Sequence, residues 1–245
     1  MIALLQKKWP SATEAQIDGK LVMVAVRVSA RARNYRLSLP HVGGPVLTVP
    51  RSGNWKEASD FFNRQLDWLG ARLRQAAKPV TFRAGVRIPL RGVDHRIVAT
   101  GGVRGRVAAT EQDGEFILSV PGEPAHRARR LTDWLKAEAL ADLQKRCAIH
   151  GRRLGVEYKS ISMRGQSTRW GSCSTTGRLN FNWRLILAPP FVRDYVAAHE
   201  VAHLLEMNHS DRFWARVEET LPTMEKGREW LRVNGRQLMV YGIEA

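Results

Sequence analysis

Two histidines bracket a glutamate in the run His199-Glu200-Val201-Ala202-His203, and a third histidine, His209, follows shortly after. On an α-helix, residues four apart lie almost one above the other, so His199 and His203 can reach one cation from the same face. Glu200 is turned from His199 by about 100°, which sets its carboxylate beside the ion rather than on it. A general base has to stand there. The spacing therefore points to hydrolysis by a metal-activated water, with Glu200 as the catalytic residue that takes the water's proton and later passes it to the leaving group.

A catalytic zinc ion (Zn2+) takes three protein ligands and leaves a fourth position for water. His209 is the favoured third ligand beside His199 and His203, because Asn208 can enter the left-handed conformation that ends a helix and so turn His209 back onto the ion. A downstream carboxylate from Glu218, Glu219, Glu225 or Glu229 is the rival. The ligand spacing is similar to that of metzincins, which carry glycine where this chain has Glu206. Two plainer readings stand against a catalytic site. In one, the histidines are satisfied core residues; in the other, zinc only holds the fold, a role in which protein ligands, often cysteines, usually fill all four positions.

The elements that must position these residues follow from hydrophobic period. Val192, Val196, Val201, Leu204 and Leu205 put apolar faces on a helix over roughly Phe191 to Met207, opened by Pro189-Pro190. Ser210 can cap a further helix running through Phe213, Trp214 and Val217 to Leu221. Before them come two strand-like pieces, Tyr158 to Met163 and Leu179 to Leu187, and a long helical pattern from Pro124 to Gly151. The N-terminal part reads as short antiparallel strands over Leu21 to Val49, broken by His41-Val-Gly-Gly-Pro. An amphipathic helix over Asn54 to Ala76, with Ser52 or Asn54 as its cap, and β-hairpins over Val80 to Val120 follow. The fold class is α+β, divided as a β-rich region with one helix over residues 1–122 and a catalytic half over residues 123–245.

Composition excludes several classes. Hydrophobic residues at 44% and charged residues at 25% are those of a globular protein. Two cysteines, Cys147 and Cys173, make no disulfide framework and no CxxC site. The apolar start Met1 to Leu5 is too short for a signal-peptide core, and no run approaches the roughly 18 residues of a membrane span, so the expected location is the cytoplasm. Lys and Arg number 39 against 23 Asp and Glu, a formal net charge of +16. Such a field attracts polyanions, which adds nucleic acid and nucleotides to peptides and proteins as candidate partners; the plain alternative is a soluble, Arg-rich surface.

Arg169-Trp-Gly-Ser-Cys-Ser, Asn182-Trp-Arg-Leu-Ile-Leu-Ala-Pro, Tyr195-Val, His199-Glu-Val-Ala-His-Leu and Asn208-His-Ser-Asp-Arg-Phe-Trp together resemble the YgjP-like metal-dependent hydrolases, also described as WLM-type or SprT-related zinc-peptidase domains. The resemblance implies a family domain over about residues 20–243 with a zincin-like catalytic half, whose active-site helix packs on a small sheet. It implies zinc on His199, His203 and His209, a catalytic Glu200, and a Trp170-Gly-Ser-Cys strand against the cleft, where an extended substrate can pair with it. Cys173 is then a small buried residue in a tight strand, and Trp170, Trp183 and Trp214 pack around the metal helix, with the lining of the substrate groove as the alternative for one of them. Three activities remain open at this point: a peptidase, a nucleotide phosphohydrolase whose arginines clamp phosphates, and a protease acting on DNA-associated proteins. Arg169, Arg184, Tyr195 and Arg212 are the residues near the motifs that could stabilise an oxyanion.

Overall fold

A computed structural model describes residues 9–40, 43–76, 78–102, 104–165 and 169–242. Met1 to Leu5, and His41 and Val42 of the expected turn, lie outside the described residues. The chain is α+β and separates into two compact units, with the division between Lys78 and Pro79.

The first unit contains β1 (Ala12–Ile17), β2 (Lys20–Ser29), β3 (Arg36–Ser38), β4 (Val46–Pro50), α1 (Trp55–Arg64) and α2 (Leu66–Arg74). Asp18 and Gly19, both at positive φ (50° and 73°), turn β1 into β2 as a two-residue hairpin. The strands alternate as expected, but the sheet is not wholly antiparallel: its order is β1-β2-β4-β3, and β2 runs parallel to β4. Alternation reveals which face is buried and says nothing of a neighbour's direction, which explains the difference. Asn54 caps α1 by accepting from the Glu57 amide at 2.9 Å. The expected single helix is broken at Gln65 into two, and Ala58, Phe62 and Leu69 pack with Val24, Leu47 and Val49 beneath the sheet.

The second unit opens with β5 (Arg87–Leu90), β6 (Val93–Ala99), β7 (Ala108–Gln112) and β8 (Glu115–Val120), in the order β5-β6-β8-β7. This repeats the connectivity of the first sheet: two hairpins joined through a central parallel pair, β6 with β8. Its hairpin turns, Arg91-Gly92 and Asp113-Gly114, also hold two residues at positive φ. The long helix α3 (Pro124–Leu154) follows, ended by Gly155 at φ 66°. Then come β9 (Ser160–Arg164), β10 (Gly171–Cys173) and β11 (Arg178–Asn182), a small sheet in the order β10-β11-β9 with β10 at its edge.

The strand expected to run on to Leu187 stops at Asn182, whose side chain accepts from the Arg184 amide at 3.1 Å and opens a 3-10 helix over Trp183–Leu187. After it lie α4 (Pro190–Ala202), α5 (Asp211–Thr220) and α6 (Met224–Leu238). Nine of the thirteen residues of α4 are buried, including Val192, Val196 and Val201. Each such valine contributes about 1.5 kcal/mol or more relative to exposure. No helix among the described residues is long and apolar enough to cross a membrane.

Three polar clamps fix the start of α4. Residues 79–122, grouped by sequence pattern with the N-terminal region, share the core of the second unit, and their Arg91-Gly92 turn donates two amides to Ile186 and Leu187 carbonyls at 2.7 and 3.1 Å. Arg193, 3% exposed, donates to the Ala188 carbonyl at 2.7 Å and pairs with Asp142 on α3 at 3.2 Å. Asp194 accepts from His150 Nε2 at 3.1 Å, while His150 Nδ1 accepts from the Thr220 hydroxyl at 2.8 Å. Buried polar groups of this kind must be satisfied or they destabilise, so α4 has one seat on α3.

Candidate metal centre

The last turn of α4 and the turn after it bring three imidazoles together. His199 and His203 project from one face, and the chain tightens at the helix end, with the Leu204 and Leu205 amides bonded three residues back to the Val201 and Ala202 carbonyls, both at 3.0 Å. His209 returns to the cluster by a route other than the expected left-handed turn. Asn208 does not adopt a left-handed conformation: among the described residues, only Asp18, Arg91 and Asp113 do so without being glycine. The helix ends earlier than expected, at His203, and the remaining turn is long enough to deliver His209 in ordinary backbone. Ser210 then caps α5 by accepting from the Phe213 amide, which pins His209 just outside the helix.

The donor atoms of His199, His203 and His209 lie within 4.8 Å of one another, and they form a set that could hold a metal ion. Nε2 of His199 and Nε2 of His209 are 3.1 Å apart. Two nitrogens on one tetrahedral zinc, each at about 2.0–2.1 Å, sit about 3.3 Å from one another, so the separation fits a shared ion. Two lone pairs facing each other at that distance call for a proton or a cation between them. His203 Nδ1 donates to the Glu206 carbonyl at 3.0 Å, leaving Nε2 as the unprotonated nitrogen. Fully buried Phe213 stacks on the His203 ring at 4.4 Å and meets the other two edge-on at 4.8 Å, fixing all three.

Electrostatics favour the neutral, metal-binding form of His199 and His203. Burial, helped by the neighbouring His203, His209 and Arg228, pushes His199 down to about 3, and burial lowers His203 as well. Two buried side-chain atoms among the described residues lack a hydrogen-bond partner, His199 Nδ1 and Glu200 Oε2. A group left so costs about 1–3 kcal/mol, a penalty that satisfied core histidines do not carry. Glu200 is 5% exposed, and burial pushes its carboxyl up to about 8 against the lowering charge of Arg169. A carboxyl poised near neutrality suits proton transfer in both directions.

Glu200 and His199 face a cleft of about 390 Å³ with three walls. α4 supplies Tyr195 and Val196 beside them, the segment entering β10 supplies Arg169, Trp170 and Gly171, and α6 supplies Arg228, Leu231 and Arg232. Glycines close each junction. A Cβ on Gly171 would lie 2.4 Å from Glu200 Oε1, one on Gly227 2.4 Å from Tyr195 Cβ, and one on Gly235 3.2 Å from Trp170 Nε1. Gly227 and Gly235 are unfavourable inside a helix, and that misfit is the signal by which α6 could have been found as a wall from sequence.

The remaining expected residues sort by place. The rival carboxylates Glu219, Glu225 and Glu229 pair instead with Arg216, Arg228 and Arg232. Cys173 is half-buried and bonds the Ser174 carbonyl, burial pushes its thiol up to about 11, and it stands outside the group of residues that could hold a metal. Trp214 packs on His199 and His209, Trp183 is buried against Phe82, and Trp170 lines the cleft. Of the four oxyanion candidates, Arg169 and Tyr195 line the cleft. Arg184 is turned away, donating to the Tyr241 carbonyl at 2.8 Å, and Arg212 is exposed on α5.

The family described as YgjP-like, metallopeptidase domain, matches residues 33–234. No curated protein matches the chain. Among solved structures, the metallopeptidase zymogen abylysin of Pyrococcus abyssi is similar at 19% identity and a TM-score of 0.34, over 38% of this chain and 95% of that one.

Proposed function

The chain belongs to the YgjP-like metallopeptidase domain family, and on that premise we propose that it is a zinc-dependent peptidase with His199, His203 and His209 as metal ligands and Glu200 as general base. The observation that carries the reading is the 3.1 Å approach of two imidazole nitrogens beside a buried carboxylate oxygen without a partner. When bound, the metal supplies Lewis-acid polarisation of the attacking water and of the substrate carbonyl.

The chain's own residues do the rest. Glu200 Oε2 takes a proton from water and returns it to the departing amine. Burial raises that carboxyl above its usual value, which strengthens it as a base. β10 is an edge strand, and its Gly171 lies directly against Glu200. An extended peptide adding to that edge by main-chain hydrogen bonds brings its carbonyl to the carboxylate. Arg169 and Tyr195 border the cleft where charge develops on the carbonyl oxygen. A peptide is the substrate that uses all three walls, and the cytoplasm is the place we assign to the reaction.

The test is metal analysis of the purified chain together with a side-by-side panel of peptides and nucleoside triphosphates, with and without DNA. Stoichiometric zinc and peptide cleavage are expected. Phosphate release with peptides untouched overturns the peptidase in favour of a nucleotide phosphohydrolase, and cleavage only in the presence of DNA restricts it to DNA-associated proteins.

A further inference from the structure

Three arginines line the cleft, Arg169, Arg228 and Arg232, and among the described residues the one carboxylate in its lining is Glu200, which is buried at 5% exposure. Arg228 and Arg232 stand one turn apart on α6 with Leu231 between them, so both charges lie along the wall facing α4. Arg228 is held over the Trp214 ring at 4.5 Å and bonds Glu225 through Nη1 at 2.9 Å. Arg232 meets Glu229 with two bonds of 2.6 and 2.7 Å. Among the described residues no carboxylate pairs with Arg169.

Resting on the peptidase reading above, we propose that the cleft selects peptides carrying Asp or Glu side chains next to the scissile bond, bound by Arg169, Arg228 and Arg232. The partners of the two α6 arginines do not cancel them. Both ion pairs are exposed, with side-chain exposures of 50% and 65% for Arg228–Glu225 and 73% and 57% for Arg232–Glu229, and Glu225 and Glu229 are not part of the lining. A guanidinium has five donors, and Arg228 uses a single nitrogen on Glu225, which leaves an edge for a substrate carboxylate. Trp170 and Leu231 supply apolar surface for the side chain's methylenes. Walls of low dielectric focus the field of such charges into the cleft. The same field repels a Lys or Arg side chain at these positions.

The experiment uses the full zinc-loaded chain. A diverse peptide library is digested, the cleavage sites are read by mass spectrometry, and one cleaved sequence is remade with Glu, Gln or Lys flanking the bond. We expect acidic residues to be enriched at the cleaved sites, kcat/KM for the Glu peptide to exceed that for the Gln peptide about tenfold or more, as charge-assisted hydrogen bonds warrant, and the Lys peptide to be poorest. The intact peptides bind Glu200→Gln in the same order by fluorescence anisotropy, and the Glu-over-Gln ratio shrinks as salt is raised. Arg228→Gln with Arg232→Gln narrows that ratio, while Arg236→Gln, on α6 but outside the lining, leaves it unchanged. Equal cleavage of the three peptides overturns the charge selection and leaves the peptidase standing. A library with no cleaved member overturns the peptidase reading and the selection with it. Because the wild-type comparisons stand without any variant, misfolding of the double substitution does not shelter the proposal.

Discussion

Gly171 and Glu200 share one small volume: a Cβ on Gly171 would fall 2.4 Å from Glu200 Oε1. The edge strand and the last turn of α4 meet there without room for a methyl group, so on the proposed peptidase reading Gly171 sets how near a strand-paired substrate comes to the carboxylate. Gly171→Ala must push either the strand or the carboxylate aside. A displacement of about 1 Å at a reacting group can cost about 100-fold in rate. We expect kcat/KM to fall by about that factor while zinc content, measured by plasma mass spectrometry, stays at the wild-type level. Loss of zinc together with activity would show that the substitution disturbs the whole helix end instead.

Glu200→Gln keeps the shape of the side chain and removes its capacity to take a proton. Turnover should drop about 100-fold to 10,000-fold, the range of general acid–base catalysis, with the metal retained. The amide also removes the need to bury a carboxyl, whose value burial has pushed up to about 8, so the variant should melt no lower than wild type. Full turnover in this variant would remove Glu200 from the mechanism.

His209 is the proposed ligand that sequence spacing left in competition with carboxylates. Its replacement by alanine should weaken zinc binding by more than the roughly 10–100-fold typical of losing an outer partner of a ligand. Glu225→Gln and Glu229→Gln, which sever exposed ion pairs with Arg228 and Arg232, should leave the metal dissociation constant where it is. A chelator competition assay on the three variants reads the difference directly.

Acid stability carries a signature of the α3–α4 seat. Burial raises the Asp194 carboxyl, but its bond to His150 and the charges of Arg146 and Arg153 outweigh this and hold it below the usual carboxylate value. A depressed carboxylate contributes its stability fully above the unfolded-state value and loses it as the pH falls through the folded one. Asp194→Asn should therefore cost about 1.5–3 kcal/mol at neutral pH, as for a hydrogen bond to a charged group. It should also unfold with a shallower dependence on pH below about 4. Urea titrations of both proteins across that range measure the two slopes.

The imidazole cluster was legible because its spacing is local: helical period alone puts His199 over His203. The turn that returns His209 was expected for the wrong reason, since the helix ends at His203 and Asn208 stays in ordinary backbone. The α+β class and most strands followed from alternation, but the parallel pairs β2–β4 and β6–β8 did not. Direction depends on partners distant in sequence. Trp183 to Leu187 looks like strand by composition, but it forms a 3-10 helix whose first turn is capped by the Asn182 side chain accepting from the Arg184 amide. The α6 wall escaped notice because its arginines look like any solvated face, and only Gly227 and Gly235 mark how closely the helix is packed.

The His203 ring is oriented by a peptide oxygen, that of residue 206, and not by a side chain. Every amino acid brings that oxygen with it. Residue 206 is also not in a left-handed conformation, so glycine holds no advantage there. Glu206, glycine and most other residues are then interchangeable as far as the ring is concerned. Proline alone is barred, because the amide at 206 closes the turn on Ala202. The position beside one of the most constrained rings in the molecule is thus free to drift, and divergence there between proteins sharing this centre is no sign that their chemistry has parted.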